Sequence, residues 1–278
     1  MTASDSWLER QYWSDVVAGR PDETIAERIA ESEKVRQLHS SHIDLPYGPG
    51  ERQKIDVFLP DGAGPWPALI YIHGGYWQLT GKDVNAFLAP AWLDRQVAVV
   101  TIGYRLLPTV GLADIISDVA AGMRHIIENA DAWSLEKDRI VLAGLSAGAH
   151  LAAMQITSAA IIRPRAAVLL SGVYDPRPVE TTTPGAALFD SLTDEIGAIS
   201  PLGRAAPVGC DCLIAWGDNE TDVFKSQSKM LAEHWANWGV EAQRLPITNA
   251  NHFTVIEELR GDSGSAIAAF VAKALLPE

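Results

Sequence analysis

Serine, histidine and carboxylate side chains act together on carbonyl compounds when a fold brings them into one hydrogen-bonded line. The sequence offers a serine in an informative setting. An apolar run at 140–143 stops at Gly144, and small, helix-compatible residues continue from Ala147 to Met154. Gly144-Leu145-Ser146-Ala147-Gly148 is therefore G-x-S-x-G between a strand and a helix, where a serine in a sharp turn stands clear at the strand end. The flanking glycines let strand and helix approach closely. A glycine-rich turn with an ordinary serine would carry the same five residues, so Ser146 needs companions elsewhere.

Its base is expected in the polar run Thr248-Asn249-Ala250-Asn251-His252-Phe253, after the last strand-like segment. The other histidines fit poorly. His39 and His42 precede the sheet, His125 and His234 fall inside helical patterns, His73 abuts a glycine pair, and His150 suits a core role on the helix after Ser146. The acid is sought in Gly217-Asp218-Asn219-Glu220-Thr221-Asp222, where a strand-like run ends. Asp222 suits a helix cap and Asp218 a turn, while Glu220 has room to aim at the histidine loop. Glu220 is preferred, with Asp218 as the alternative. Donors for an oxyanion are expected from His73-Gly74-Gly75-Tyr76-Trp77: the amides of Gly74 or Gly75, together with Ala147 after the serine. Tyr76, Trp77, Tyr174 and Phe189 are candidates to stack on a substrate ring, and they are equally suited to lid and core packing.

These residues must be positioned by a sheet. Continuous apolar runs at 68–72, 97–102, 140–143, 166–170 and 212–216 read as strands buried on both faces, and helical patterns at 85–95, 112–129, 147–162 and 222–238 separate most of them. A mostly parallel α/β sheet covered by helices on both sides follows. Residues 53–59 alternate like an edge strand, 242–247 make a last short strand, and 253–276 read mostly as a closing helix. Residues 1–38 form an N-terminal helical segment, with Asp22 and Glu23 after Pro21 marking a start. The Pro-, Thr- and Gly-rich insertion at 172–209 is the candidate lid. With no linker or repeat, 1–278 reads as one domain.

The 278 residues, 47% of them hydrophobic, suffice for a large core, and the formal net charge of −13 argues against nucleic acid or an anionic membrane as partner. Neither a signal-type apolar stretch nor a run of about 18 apolar residues occurs, so a cytoplasmic protein is expected. Cys210 and Cys212, two apart in an apolar strand-like run, read as core thiols that do not bridge. No Cys/His/carboxylate cluster has ligand spacing, so no metal or other cofactor is expected. The amphipathic N-terminal segment could cover the domain or join two copies of it.

Taken together, these motifs resemble the α/β-hydrolase superfamily over nearly the whole chain. His73-Gly74-Gly75-Tyr76-Trp77-Gln78, then Gly81-Lys82-Asp83, is similar to the kynurenine formamidase (arylformamidase) branch. So are Gly217-x-x-Glu220-Thr221-x-x-Phe224-x-x-Gln227-Ser228 and the run Ser171-Gly172-Val173-Tyr174-Asp175-Pro176-Arg177-Pro178 that leads into the insertion. In that branch the acid falls where Glu220 stands. Gly103-Tyr104-Arg105-Leu106-Leu107-Pro108 instead resembles a turn of the HGG-type lipases and esterases. The resemblance implies an acyl-enzyme on Ser146, with His252 as base and then acid, acting on a small amide or ester. An arylformamidase is the first expectation, a short-chain carboxylesterase the second, and a non-catalytic receptor on the same fold the third. Arg105 and Arg177 are candidate anchors for a substrate carboxylate.

Overall fold

The computed structural model describes residues 3–13, 21–39, 41–157, 163–182, 185–186, 196–261 and 264–277. Among the described residues eight strands form one sheet: β1 (Ser41–Pro46), β2 (Lys54–Phe58), β3 (Trp66–Ile72), β4 (Ala98–Ile102), β5 (Leu135–Leu145), β6 (Ala166–Leu170), β7 (Asp211–Gly217) and β8 (Gln243–Ile247), in the order β1-β2-β4-β3-β5-β6-β7-β8. The β1–β2 and β2–β4 pairings are antiparallel, and every pairing from β4 through to β8 is parallel.

Apolar residues on both faces of the central strands supply two cores at once. Along β3, Ala68, Ile70 and Ile72 enter one core and Leu69 and Tyr71 the other, and Leu142 and Val141 divide likewise on β5. The first core is covered by the helices Leu112–Asn129, Ala147–Ile156 and Asp222–Ala236, the second by Ala89–Leu93 and Ala266–Leu275. Strand period two thus dictates helices on both sides. Parallel strands also place the exits of β3, β5, β7 and β8, which carry Gly74, Gly75, Ser146, Ala147, Glu220 and His252, along one edge of the sheet.

Several elements differ from the sequence pattern. The strand β1 was not anticipated, because its outer-edge position leaves it little buried and without an apolar run. The segment expected as one helix at 85–95 is a 3-10 helix, Lys82–Leu88, followed by Ala89–Leu93. The closing segment is likewise broken into a 3-10 turn, Val255–Leu259, and the helix Ala266–Leu275. Gly261 between them has φ +88°, a conformation that favours glycine, and a Cβ there would lie 3.2 Å from the Trp92 ring. Ser265 then restarts the helix by accepting the Ala268 amide at 3.1 Å.

The N-terminal segment forms the helices Ala3–Trp13 and Pro21–Leu38. The second is fastened to the domain by Arg28, which donates to Glu257 at 2.9 Å, and by the Arg260 fork on Glu31 at 2.7 and 2.9 Å. Of the expected helix 147–162, Ala147–Ile156 lies within the described residues.

Candidate active site

Ser146 sits at the exit of β5 with φ 57° and ψ −118°, in a strained turn. Its glycine neighbours are required by contact. A Cβ on Gly148 would fall 2.1 Å from the Ile72 carbonyl oxygen, and one on Gly144 would fall 2.3 Å from that of Gly148. The Ser146 amide donates to the Leu170 carbonyl at 2.8 Å, which ties the turn to the end of β6. Ser146 is only 4% exposed.

Glu220 and His252 meet across the exits of β7 and β8. His252 Nδ1 and Glu220 Oε2 are 2.9 Å apart, and the Glu220 side chain is fully buried. The other oxygen, Oε1, accepts from the Ser171 hydroxyl at 2.5 Å and from the Gly217 amide at 2.6 Å. A buried carboxylate needs such donors, and with Oε1 fixed, Oε2 is left to orient the imidazole. Asp218 does different work. It is exposed, and its Oδ1 accepts the Asn249 amide at 2.7 Å, bracing the turn after β8.

The loop after β3 is pinned through its carbonyls. The Tyr104 hydroxyl donates to the His73 carbonyl at 2.8 Å, and the Thr80 hydroxyl donates to that of Gly74 at 2.9 Å. His73 Nδ1 is also 2.8 Å from the Gly74 oxygen and so carries the proton. In a trans peptide N–H and C=O point in opposite directions, so the Gly74 and Gly75 amides face away from these anchors. A Cβ on Gly74 would lie 2.7 Å from the Leu145 carbonyl oxygen and 3.4 Å from Ser146 Cβ, placing this backbone against the serine turn. Gly75 has φ +106°. Ala147 opens the helix after Ser146, where backbone amides lack intrahelical acceptors. Burial pushes the His73 pKa down to about 4, and its ring stacks on Tyr104 at 4.0 Å.

The aromatic candidates separate. Trp77 is wholly buried and donates from Nε1 to His150 Nδ1 at 3.3 Å, while His150 Nε2 donates to the Ile199 carbonyl at 2.7 Å. Trp77 therefore locks the glycine loop to the Ser146 helix from within the core, and His150 has the core role expected of it. Tyr174 is also wholly buried, its carbonyl taken by Ser200 at 2.6 Å. Tyr76 is half-buried with φ 50°, and burial, followed by the proximity of Tyr12 and Glu220, raises its pKa. Phe189 lies outside the described residues. Arg105 and Arg177 are each forked onto a carboxylate of their own, Asp118 and Asp175, with contacts of 2.6–2.8 Å, which offset the charge either would offer a substrate carboxylate. Three residues to which the sequence reading gave no role stand beside the pair: Ser171, Phe224, whose ring centre is 4.1 Å from that of His252, and Tyr12, edge-on to Phe224 at 5.9 Å. Ser171 and Phe224 carried a signal in the motif runs that contain them. Tyr12 carried none, since its contact spans more than two hundred residues.

A sheet in this strand order, with a serine turn after β5 and a carboxylate–histidine pair after β7 and β8, defines an α/β-hydrolase. The chain is 30% identical over 265 residues to a kynurenine formamidase of Danio rerio, covering 91% of this chain and 87% of that protein. It belongs to the kynurenine formamidase family and is a hydrolase. The family model BD-FAE matches residues 55–163. A solved protein from Silicibacter sp. TM1040, described as a candidate thioesterase, superposes with a TM-score of 0.81 at 28% identity, covering 98% of this chain and all of that one. An isoprenylcysteine alpha-carbonyl methylesterase of Arabidopsis thaliana is 31% identical over 39% of this chain and 26% of its own length.

Proposed function

We propose that the protein hydrolyses a small acyl group from an arylamine, with N-formylkynurenine as the reference substrate. Ser146 attacks the acyl carbon as His252 takes its proton. Glu220 orients the imidazole and offsets the positive charge it gains, and the amides of Gly74, Gly75 and Ala147 receive the oxyanion. His252 then protonates the departing nitrogen, and water repeats the sequence to release the acid and restore Ser146. The observation that carries the aryl preference is Phe224 on His252 at 4.1 Å, because the leaving group must lie within hydrogen-bond reach of that imidazole. Kinship with the formamidases over 91% of the chain supports the same reading. The insertion at 172–209 is read as a lid, supported by the Ser200 hydroxyl, which donates to the Tyr174 carbonyl at 2.6 Å; its residues 183–184 and 187–195 lie outside the described residues.

A carboxylesterase is the second reading, favoured by the methylesterase relatives, one of which matches 39% of this chain at 31% identity. The test is kcat/KM for N-formyl-L-kynurenine beside p-nitrophenyl esters from acetate to octanoate, on the wild type and Ser146→Ala. Strong formamide turnover with weak, short-chain ester cleavage is expected, and Ser146→Ala should abolish both. High activity on butyrate-length esters without formamide cleavage would select the esterase.

A further inference from the structure

The N-terminal helix Ala3–Trp13 is bolted to the loop that carries Glu220. The Thr221 hydroxyl donates to the Gln11 carbonyl at 2.8 Å, and the Val223 amide donates to Gln11 Oε1 at 3.3 Å, at the start of the helix Asp222–Ala236. Both anchors lie within three residues of Glu220. The next residue, Tyr12, is 3% exposed and packs edge-on against Phe224, the ring that covers His252.

The hydrogen bonds around Tyr12 are directional. Gln227 uses its whole amide: Oε1 accepts the Tyr174 and Asp175 amides at 3.0 and 2.8 Å, and Nε2 donates to the Asp175 carbonyl and to Tyr12 Oη, both at 3.0 Å. Two backbone amides on one side and a carbonyl on the other fix which end of Gln227 is nitrogen. Tyr12 Oη is therefore an acceptor in this bond, and its own proton is directed elsewhere. No described residue takes it. Burial, the largest influence, pushes the Tyr12 pKa up to about 12, so the hydroxyl keeps its proton at neutral pH. A buried donor without an acceptor is costly, and here the ring that bears it packs on Phe224, which covers His252.

We infer that Tyr12 is a specificity-determining residue, whose hydroxyl donates to a carbonyl or carboxylate oxygen carried on the ring of the leaving group. The inference rests on the proposed hydrolysis and names the substrate class more closely. The leaving atom must face His252 to be protonated, so Phe224 and Tyr12 line the leaving-group side of the site rather than the acyl side. An aryl leaving group without an acceptor would leave the Tyr12 proton buried and unpaired, and a site built to satisfy a polar group discriminates against analogues that lack it.

The experiment compares kcat/KM for formanilide with that for 2-, 3- and 4-formamidoacetophenone, on the wild type and Tyr12→Phe. Intrinsic differences in leaving-group reactivity, and any loss of folded enzyme, cancel when the substrate ratio of the variant is divided by that of the wild type. The expected result is that at least one isomer loses about tenfold of its advantage over formanilide in Tyr12→Phe. A ratio unchanged for all three isomers would overturn the inference. Should the wild type cleave no formamide, the formamidase reading fails on its own, and the corresponding acetoxyacetophenones against phenyl acetate apply the same test: a fall in the ratio sustains the role of Tyr12, and an unchanged ratio removes it.

Discussion

Glu220 anchors Oε1 on Ser171 and Gly217 and presents Oε2 to His252, whereas Asp218, two residues earlier, braces the turn at Asn249. The two carboxylates should therefore respond very differently to loss of charge. Glu220→Gln is expected to lower kcat by about 10³-fold or more, since an amide can neither offset the imidazolium nor enforce the tautomer. Asp218→Asn should stay within about threefold, as an exposed turn contact usually does. Steady-state kinetics on both variants checks this, and a mild Glu220→Gln would reassign the acid. Ser171→Ala removes one of the two donors on Oε1 and leaves the Gly217 amide. We expect kcat to drop about tenfold, with KM little changed, because the loss lies in how the pair is aimed rather than in substrate contact. An equal rise in KM would instead point to disturbed binding.

The elements that hold these residues were legible in the sequence to different depths. The double-sided apolar runs specified the parallel sheet, and G-x-S-x-G at the end of one of them specified the serine turn, because glycine packing and strand burial are local demands written locally. The contact of Glu220 with His252 was also within reach, since a strand exit followed by three carboxylates offers few geometries. Other features were out of reach for a physical reason: long-range docking decides them. Trp77 looks identical in sequence whether it faces a substrate or locks onto His150, and Arg105 whether it awaits an anion or grips Asp118. The Gly81-Lys82-Asp83 segment is a further case. Lys82 donates to Asp44 at 2.7 Å and to the fully buried Asp56 at 2.6 Å, joining the 3-10 helix to β1 and β2. Arg36 Nε, 3.2 Å from Asp56 Oδ2, and the Asp44 amide, which donates to Oδ1 at 2.8 Å, still partner Asp56 when Lys82 is removed, so Lys82→Ala should cost about 1–3 kcal/mol of stability by denaturant titration. The loop after β3 depends on Tyr104 in the same way. Tyr104→Phe frees the His73 carbonyl and should slow kcat about tenfold and lower the melting temperature by about 2–5 °C.

At the scale of the whole molecule, acid sensitivity follows from two histidines that the fold keeps neutral. Burial pushes both His73 and His150 from 6.5 down to about 4. The structure shows why neither can accept a proton cheaply. His150 donates from Nε2 to Ile199 and accepts at Nδ1 from Trp77, so a second proton would set N–H against N–H. His73 carries its proton on Nδ1 toward Gly74, and its buried Nε2 has no hydrogen-bond partner among the described residues, so a proton there would be unpaired. In the unfolded chain both titrate near 6.5. Their contribution is thus fully present above that pH and is lost as pH falls from 6.5 through about 4, at about 3 kcal/mol for each ring. Between those limits unfolding takes up two protons, so the pair alone gives a slope of about 2.7 kcal/mol per pH unit. Carboxylates add to any acid-induced loss, and a variant isolates the histidine share. Urea titrations of wild type and His150→Gln at pH 4.5–7.5 should run parallel above pH 6.5 and diverge below it, the variant shallower by about 1.4 kcal/mol per pH unit. Parallel curves throughout would mean that His150 is protonated in the folded molecule and that the Trp77–His150–Ile199 chain is not the lock between the glycine loop and the serine helix.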